Sequence, residues 1–269
     1  MTTIPTILVF DSGLGGLTVY GEVVKARPDA RYVYVADDAF FPYGAQPEPA
    51  LAERVTALMG DLIAQHAPDL VVIACNTAAT IVLPHLRERF RVPFVGTVPA
   101  IKPACAASTS RLVSVLGTEA TISREYTRAL IRDFANGSTV TLVGSARLAG
   151  YAEDELAGSP ASDAAITVEI APCFNTDGDR RTDIVVLACT HYPLLRNRFE
   201  RLMPWPAQWL DPAPAIARRV VDLLGPPPGP AALPPQAPPR LIFTSGRSPA
   251  PHLAAALARF GLTASPSQN

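Results

Sequence analysis

Two stretches, Asp69-Leu-Val-Val-Ile-Ala-Cys75-Asn-Thr77 and Asp183-Ile-Val-Val-Leu-Ala-Cys189-Thr-His191, share Asp, Val, Val, Ala and Cys, five identities in nine columns. Each is a short aliphatic run that reads as a buried β-strand, and each ends on a cysteine. A second echo lies upstream of each copy: Ile7 to Asp11 runs into the Gly13-Leu-Gly-Gly16 turn, and Leu112 to Leu116 runs into Gly117-Thr-Glu-Ala-Thr121. Self-similarity of this kind predicts two related halves. Short aliphatic strands resemble one another in any α/β protein, but that alternative does not account for a cysteine at the same point of both copies.

Outward from the repeat, Tyr32 to Val35, Val140 to Val143 and Leu241 to Thr244 also read as strands, with stretches of helical period between. Leu51, Val55, Leu58 and Leu62 share one helical face, as do Ile216, Val220, Leu223 and Leu224. Strand and helix alternating through the chain predict an α/β protein whose parallel sheets are covered by helices. Pro226 to Pro239 holds eight of the 28 prolines, so Gly225 to Arg240 is read as a loop or linker, neither helix nor central strand. The strand and the helix beyond it, the latter from about His252 to Phe260, are too little to fold alone and are expected to complete the first sheet.

At about 150 residues per domain, the 269 residues fit one large domain or two medium ones. A chain 48% hydrophobic and 17% charged, with mean hydropathy +0.19, has material for a core and too little charge for disorder. The 23 Lys and Arg against 24 Asp and Glu leave a net charge of −1, and no long-range field that would draw nucleic acid or anionic lipid. Aliphatic runs such as Leu70 to Cys75 fall far short of the roughly 18 residues of a membrane span. Met1 to Pro5 lacks the basic region of a secretory leader, and the expected location is the cytoplasm. Cys75, Cys105, Cys173 and Cys189 include no C-x-x-C pair for zinc, an iron–sulfur cluster or redox exchange, and are expected as free thiols.

Open parallel sheets bind ligands at the carboxyl ends of their strands, so the repeat brings two thiols to two ligand-binding edges. If the halves face each other, Cys75 and Cys189 approach one substrate from opposite sides. Stereoinversion at carbon needs that geometry: one thiolate removes a proton from one face while a thiol delivers a proton to the other, with no metal or organic cofactor. An isolated buried cysteine is more simply a core residue, and Cys105 and Cys173 are read that way. Ser12, Asn76, Thr77 and Thr190 offer neutral hydrogen bonds, helix N-termini after the strands can hold carboxylates, and Gly13, Gly15 and Gly16 allow close backbone approach to a ligand. The glycines form neither a dinucleotide fingerprint, which would need glycine at Thr18, nor a phosphate loop. Asp11 and His191 are placed to accept a proton or to orient an amine.

Phe10-Asp-Ser-Gly-Leu-Gly-Gly-Leu17, Pro42-Tyr-Gly44, Ala74-Cys-Asn-Thr-Ala78, Gly117-Thr-x-x-Thr121 and Ala188-Cys-Thr-His-Tyr-Pro-Leu-Leu195 together resemble the motif set of the glutamate racemases, in the aspartate/glutamate racemase superfamily. The match runs from about residue 7 to Thr244-Ser-Gly246. The resemblance implies two pseudo-symmetric α/β domains with the active site in the cleft between them: residues 1–98 with 212–269, and residues 99–211. It implies cofactor-independent interconversion of L- and D-glutamate in the bacterial cytoplasm, supplying D-glutamate for peptidoglycan. Cys75 would be the base towards D-glutamate and Cys189 the base towards L-glutamate, assisted by Asp11 and His191 respectively. Ser12, Tyr43, Gly44, Asn76, Thr77, Thr118, Thr121 and Thr190 match positions that hold the substrate, and Glu153 matches an acidic residue near the amine. The implied partner is the small-molecule substrate, with neither nucleic acid nor membrane, and homodimers are common among relatives.

Many members read Asp-Thr-Ala-Arg-x-Pro-Tyr-Gly where this chain has Asp37-Asp-Ala-Phe-Phe-Pro-Tyr-Gly44, so Phe40 replaces an arginine. Three other functions stay open on the sequence. An aspartate racemase would use the same two thiols. A thiol hydrolase built on Cys189 and His191 would leave Cys75 unexplained. A non-catalytic binding protein would tolerate loss of either thiol.

Overall fold

A computed structural model describes residues 4–228 and 237–263. Its strands are β1 (Thr6–Asp11), β2 (Arg31–Ala36), β3 (Leu70–Ile73), β4 (Phe94–Gly96), β5 (Leu112–Gly117), β6 (Thr139–Gly144), β7 (Thr176–Asp177), β8 (Arg180–Arg181), β9 (Ile184–Ala188), β10 (Gln208–Leu210) and β11 (Arg240–Phe243). They form a first sheet in the order β11-β2-β1-β3-β4, a second in the order β10-β9-β5-β6, and a β7-β8 hairpin. Within both large sheets every pairing is parallel.

Without β11, the two sheets have one topology: β2-β1-β3-β4 corresponds to β6-β5-β9-β10. The repeated segments β3 and β9 each lie beside the first strand of their half, with Phe10 opposite Ile73 and Leu116 opposite Leu187. The aspartate that opens each copy has the same task in both. Asp69 accepts a hydrogen bond from the Thr6 N–H at the start of β1 (2.7 Å), and Asp183 accepts from the Thr109 and Ser110 N–H groups ahead of β5 (2.7 and 2.9 Å). A carboxylate there satisfies backbone donors at a strand's open end.

Both faces of each sheet are covered, which is why the strands read as unbroken aliphatic runs. Ile7 and Val9 point into one core and Leu8 and Phe10 into another, the alternation a strand imposes. The first core takes Leu17, Val19 and Val23 from the helix Leu17–Ala26 and Ile216 and Val220 from the helix Ala213–Leu224. The second takes Leu51, Val55, Met59 and Leu62 from the helix Glu48–His66 and Val82 and Leu86 from the helix Asn76–Arg89. In the second sheet Val185 and Leu187 face one core and Ile184, Val186 and Ala188 the other. Cys105 and Cys173 are both fully buried; Ser114, in the middle of β5, donates to the Cys173 carbonyl (2.7 Å).

β11 pairs with β2 at the edge of the first sheet. The helix Pro251–Ala258 sends Leu253 and Leu257 into the first core and also packs on the helix Leu148–Ala157 of the second half. Residues 225–228 and 237–239 form neither helix nor strand, and the rest of the proline-rich stretch, 229–236, lies outside the described residues. Leu223, expected on the buried face of its helix, is 41% exposed, and Leu224 packs against the core in that last turn. Among the described residues no helix is long and apolar enough to cross a membrane.

Asp183 gives a test of the strand-end contacts. Burial works to raise its pKa, but hydrogen bonds from Ser108, Ser110 and Thr109 outweigh it and hold the carboxyl at about 2. A carboxylate depressed on folding stabilises the protein above its unfolded pKa of about 4 and loses that contribution as pH falls through the folded value. Asp183→Asn is therefore expected to cost about 1 kcal/mol at neutral pH, after allowance for solvent screening. In urea unfolding the gap should narrow as pH drops below about 4; a gap independent of pH would contradict this assignment.

Candidate active site

The carboxyl ends of the two sheets face one cavity. From the first half it is lined by Ser12, after β1, by Tyr43 and Gly44, and by Cys75, Asn76 and Thr77, after β3. From the second half come Thr118, after β5, and Cys189, Thr190 and His191, after β9. Its volume is about 20 Å³ counted as room for the centre of a water molecule, enough for about one water.

Hydrogen bonds cross between the halves at this cavity. The Thr190 hydroxyl donates to Asp11 Oδ1 (3.0 Å). The Leu14 N–H donates to Glu153 Oε1 (2.6 Å), which also meets His191 Nε2 at 2.9 Å. The Thr77 hydroxyl lies 3.2 Å from those of Thr118 and Thr121, which are 2.9 Å from each other. The glycine turn after β1 serves this closure. A Cβ on Gly15 would sit 2.4 Å from His191 Nδ1, one on Gly13 would sit 2.4 Å from Glu153 Oε1, and one on Gly16 would sit 2.7 Å from Asp11 Cβ. Gly13 and Gly15 thus stand against the opposite half of the protein, while Gly16 stands against Asp11 and Tyr34 of its own half.

The two thiols differ in their surroundings although their strands match. Cys75 caps the helix Asn76–Arg89 and is 5% exposed. Burial first, then the nearby Asp11 carboxylate, pushes its thiol up to about 12. A helix N-terminus acts in the opposite direction, but desolvation outweighs it here. Cys189 has no helix directly after it; a 3-10 turn, Tyr192–Leu195, follows. Its Sγ lies 3.9 Å from His191 Nδ1. Burial alone would lower the pKa of His191, yet its hydrogen bonds to Cys189 and Glu153 raise it well above the ordinary value. Glu153 is held below the usual carboxylate range: its desolvation is outweighed by the hydrogen bond and charge of His191. The result is a buried imidazolium–carboxylate pair with its second N–H on a sulfur. Asp11 is raised by burial, against the opposing effects of His191 and of hydrogen bonds from Gly16, Gly13 and Thr190.

Of the expected site residues, Ser12, Tyr43, Gly44, Cys75, Asn76, Thr77, Thr118, Cys189, Thr190 and His191 line the cavity, and Asp11, Thr121, Glu153 and the glycines Gly13, Gly15 and Gly16 do not. Asp11 lies behind it on Thr190, and Thr121 behind it on Thr77 and Thr118. The Tyr43 hydroxyl points to Asp37 (2.6 Å), so its ring and backbone are what reach the cavity. Asn76 Nδ2 is a buried donor without a partner among the described residues. Phe41, Pro42 and Ala149 also line the cavity and were not read from the sequence. Phe41 is an apolar residue inside a recognised motif, its ring tilted against that of His191 at 5.4 Å, and Ala149 carries no chemical signal at all. Among the described residues no group of three or more His, Cys, Asp or Glu is arranged to hold a metal ion.

The tight fit of Gly15 against His191 makes a prediction. Gly15→Ala is expected to push the imidazole off Cys189 and Glu153, so that in an NMR titration His191 loses its elevated pKa and returns towards the ordinary histidine range. An unchanged titration would contradict the contact.

Known proteins resemble this chain in sequence and in fold. Residues 15–220 match the model of the Asp/Glu/Hydantoin racemase family. The chain is 58% identical over 221 residues to a glutamate racemase of Brucella anthropi, covering 82% of this chain and 80% of that protein. It is 54% identical over 243 residues to a glutamate racemase of Mesorhizobium japonicum, covering 90% and 92%. Its fold superposes with a TM-score of 0.88, at 38% identity and 97% coverage of both chains, on Escherichia coli glutamate racemase solved with L-glutamate and an activator, UDP-MurNAc-Ala. The chain thus belongs to the Asp/Glu/Hydantoin racemase family, among the glutamate racemases, and is an isomerase.

Proposed function

We propose that the protein racemises glutamate by two-base proton transfer between Cys75 and Cys189, without a cofactor. The observation that carries this reading is the single cavity into which both thiols project from the facing ends of matching strands. The L-glutamate bound by the Escherichia coli relative supports the substrate. With L-glutamate, the Cys189 thiolate takes the Cα proton, and the electron pair left on Cα is delocalised into the α-carboxylate. The Cys75 thiol then protonates the opposite face, leaving D-glutamate, a Cys189 thiol and a Cys75 thiolate. Proton exchange with water restores the starting state, and the D-to-L direction runs the same steps backwards.

The charges suit these roles. Burial and Asp11 keep Cys75 a thiol, and the positive charge of the His191 imidazolium stands beside Cys189. Asn76 Nδ2, the hydroxyls of Ser12, Thr77, Thr118 and Thr190 and the backbone at Tyr43–Gly44 are the groups available to hold the carboxylates and the amine, with Thr121 supporting Thr77 and Thr118. The proposal includes the division into residues 1–98 with 212–269 and residues 99–211. It also includes a cytoplasmic location, a homodimer as the assembly common among relatives, and supply of D-glutamate to peptidoglycan.

Cys75→Ala and Cys189→Ala are each expected to lower racemisation, followed by circular dichroism, by at least roughly 100-fold, the lower end for loss of a general acid or base. Near-normal turnover in either variant contradicts the two-base reading. Treatment with a metal chelator is expected to leave turnover of the wild-type protein unchanged, and a chelator-dependent loss would contradict the cofactor-independent mechanism. D-Aspartate in the same assay tests the substrate: turnover faster than with D-glutamate would move the assignment to the sister activity.

A further inference from the structure

Directly after β2, Asp37 is fully buried, and its two oxygens take four donors. Oδ2 accepts from the Tyr43 hydroxyl (2.6 Å) and from Arg54 Nε (2.7 Å), while Oδ1 accepts from Arg54 Nη2 (2.5 Å) and the Thr244 hydroxyl (2.6 Å). Arg54 comes from the helix Glu48–His66 and lies outside the cavity lining. Its guanidinium also lies 5.0 Å from the centroid of the Phe40 ring, and Phe40 meets Tyr43 edge-on at 6.3 Å. One side chain thus braces both the carboxylate and the ring that hold Tyr43. Gly44 follows it and stands against Thr118 of the other half, where an added Cβ would lie 3.1 Å from Thr118 Cβ.

We infer that Arg54 is a positioning residue for the racemase reaction: gripping Asp37 with two N–H groups and stacking on Phe40, it fixes Tyr43 and Gly44 at the wall of the substrate cavity. The inference rests on the function proposed above. The chemistry asks for arginine in particular. A planar two-pronged donor satisfies both carboxylate oxygens at once and stacks on an aromatic face, which an ammonium cannot do. Without it, Asp37 is a buried carboxylate with only the Tyr43 and Thr244 hydroxyls, and a charge so placed draws in water or shifts to find a partner. Either adjustment moves Tyr43, whose hydroxyl is tied to the same carboxylate. Arg54 touches no reacting atom, so its loss affects the binding of substrate more than proton transfer.

The test compares wild type, Arg54→Met, Arg54→Lys, Asp37→Asn and the Asp37→Asn/Arg54→Met double variant by circular dichroism with L-glutamate. Arg54→Met is expected to raise KM roughly tenfold with a fall in kcat of no more than about threefold, the signature of lost substrate positioning. Arg54→Lys should lie between it and wild type. Adding Arg54→Met to Asp37→Asn should change KM less than about twofold, because the arginine acts through that carboxylate. A KM unchanged in Arg54→Met, with only a lower melting temperature, overturns the inference and reduces the pair to a structural contact. Fully additive effects in the double variant overturn it as well. If Arg54→Met does not fold, Arg54→Lys carries the test, and a wild-type KM in that variant overturns the inference. Absence of turnover by the wild-type protein overturns the proposed function and this inference with it.

Discussion

The hydrogen bond from Thr190 to Asp11, with its counterpart from the Leu14 N–H to Glu153, is the constraint on which the site depends. A parallel sheet delivers functional groups to the carboxyl ends of its strands, but one sheet reaches a substrate from one side only. Inversion at a carbon needs both sides. The crossed pairs set two such edges face to face, and each carboxylate belongs to one half and takes one of its donors from the other. Both are buried or nearly so, and a buried carboxylate needs its donors. That need fixes how the halves meet, and the glycine turn after β1 is the complementary surface: with no side chains at Gly13 and Gly15, Glu153 and His191 can come down onto its backbone.

The fold is nearly symmetric and the site is not. Cys75 and Cys189 end matching strands, yet one enters a 14-residue helix beside a carboxylate and the other a 3-10 turn beside an imidazolium. Around Cys75 the favourable end of a helix loses to burial and to Asp11. Around Cys189 the ion pair of His191 with Glu153 supplies a positive charge that burial would otherwise remove. Two copies of one residue thus meet opposite electrostatic neighbours, a carboxylate at Cys75 and an imidazolium at Cys189.

What the sequence made visible was whatever it repeated or spelled in chemically distinctive residues. The nine-column repeat marked β3 and β9, their terminal cysteines and the two-halves architecture. The three-residue strands β4 and β10 escaped notice because Phe94–Gly96 and Gln208–Leu210 are shorter than any period that could reveal them. The role of the glycine turn was hidden for a different reason: Glu153 and His191 press on it from far along the chain, and spacing says nothing of that distance. Tyr43 stood inside a readable motif, but only the structure reveals its hydroxyl turned to Asp37, held by an arginine that no motif contains. Phe40 lies under the guanidinium of Arg54, which also meets Asp37. Leu223 shows the converse limit, since a helical period continues to the end of a helix whether or not a core continues beside it.

The central claim is that two different thiols serve the two faces of one carbon, and isotope placement tests it most directly. L-Glutamate is incubated with wild-type protein in heavy water, the reaction is stopped at low conversion, the enantiomers are separated, and Cα deuterium in each is read by mass spectrometry. The account predicts deuterium in the D-glutamate formed, delivered by Cys75, and protium retained in the remaining L-glutamate, whose proton Cys189 takes and returns. Deuterium appearing equally in both pools from the start, or protium carried into the product, would contradict it.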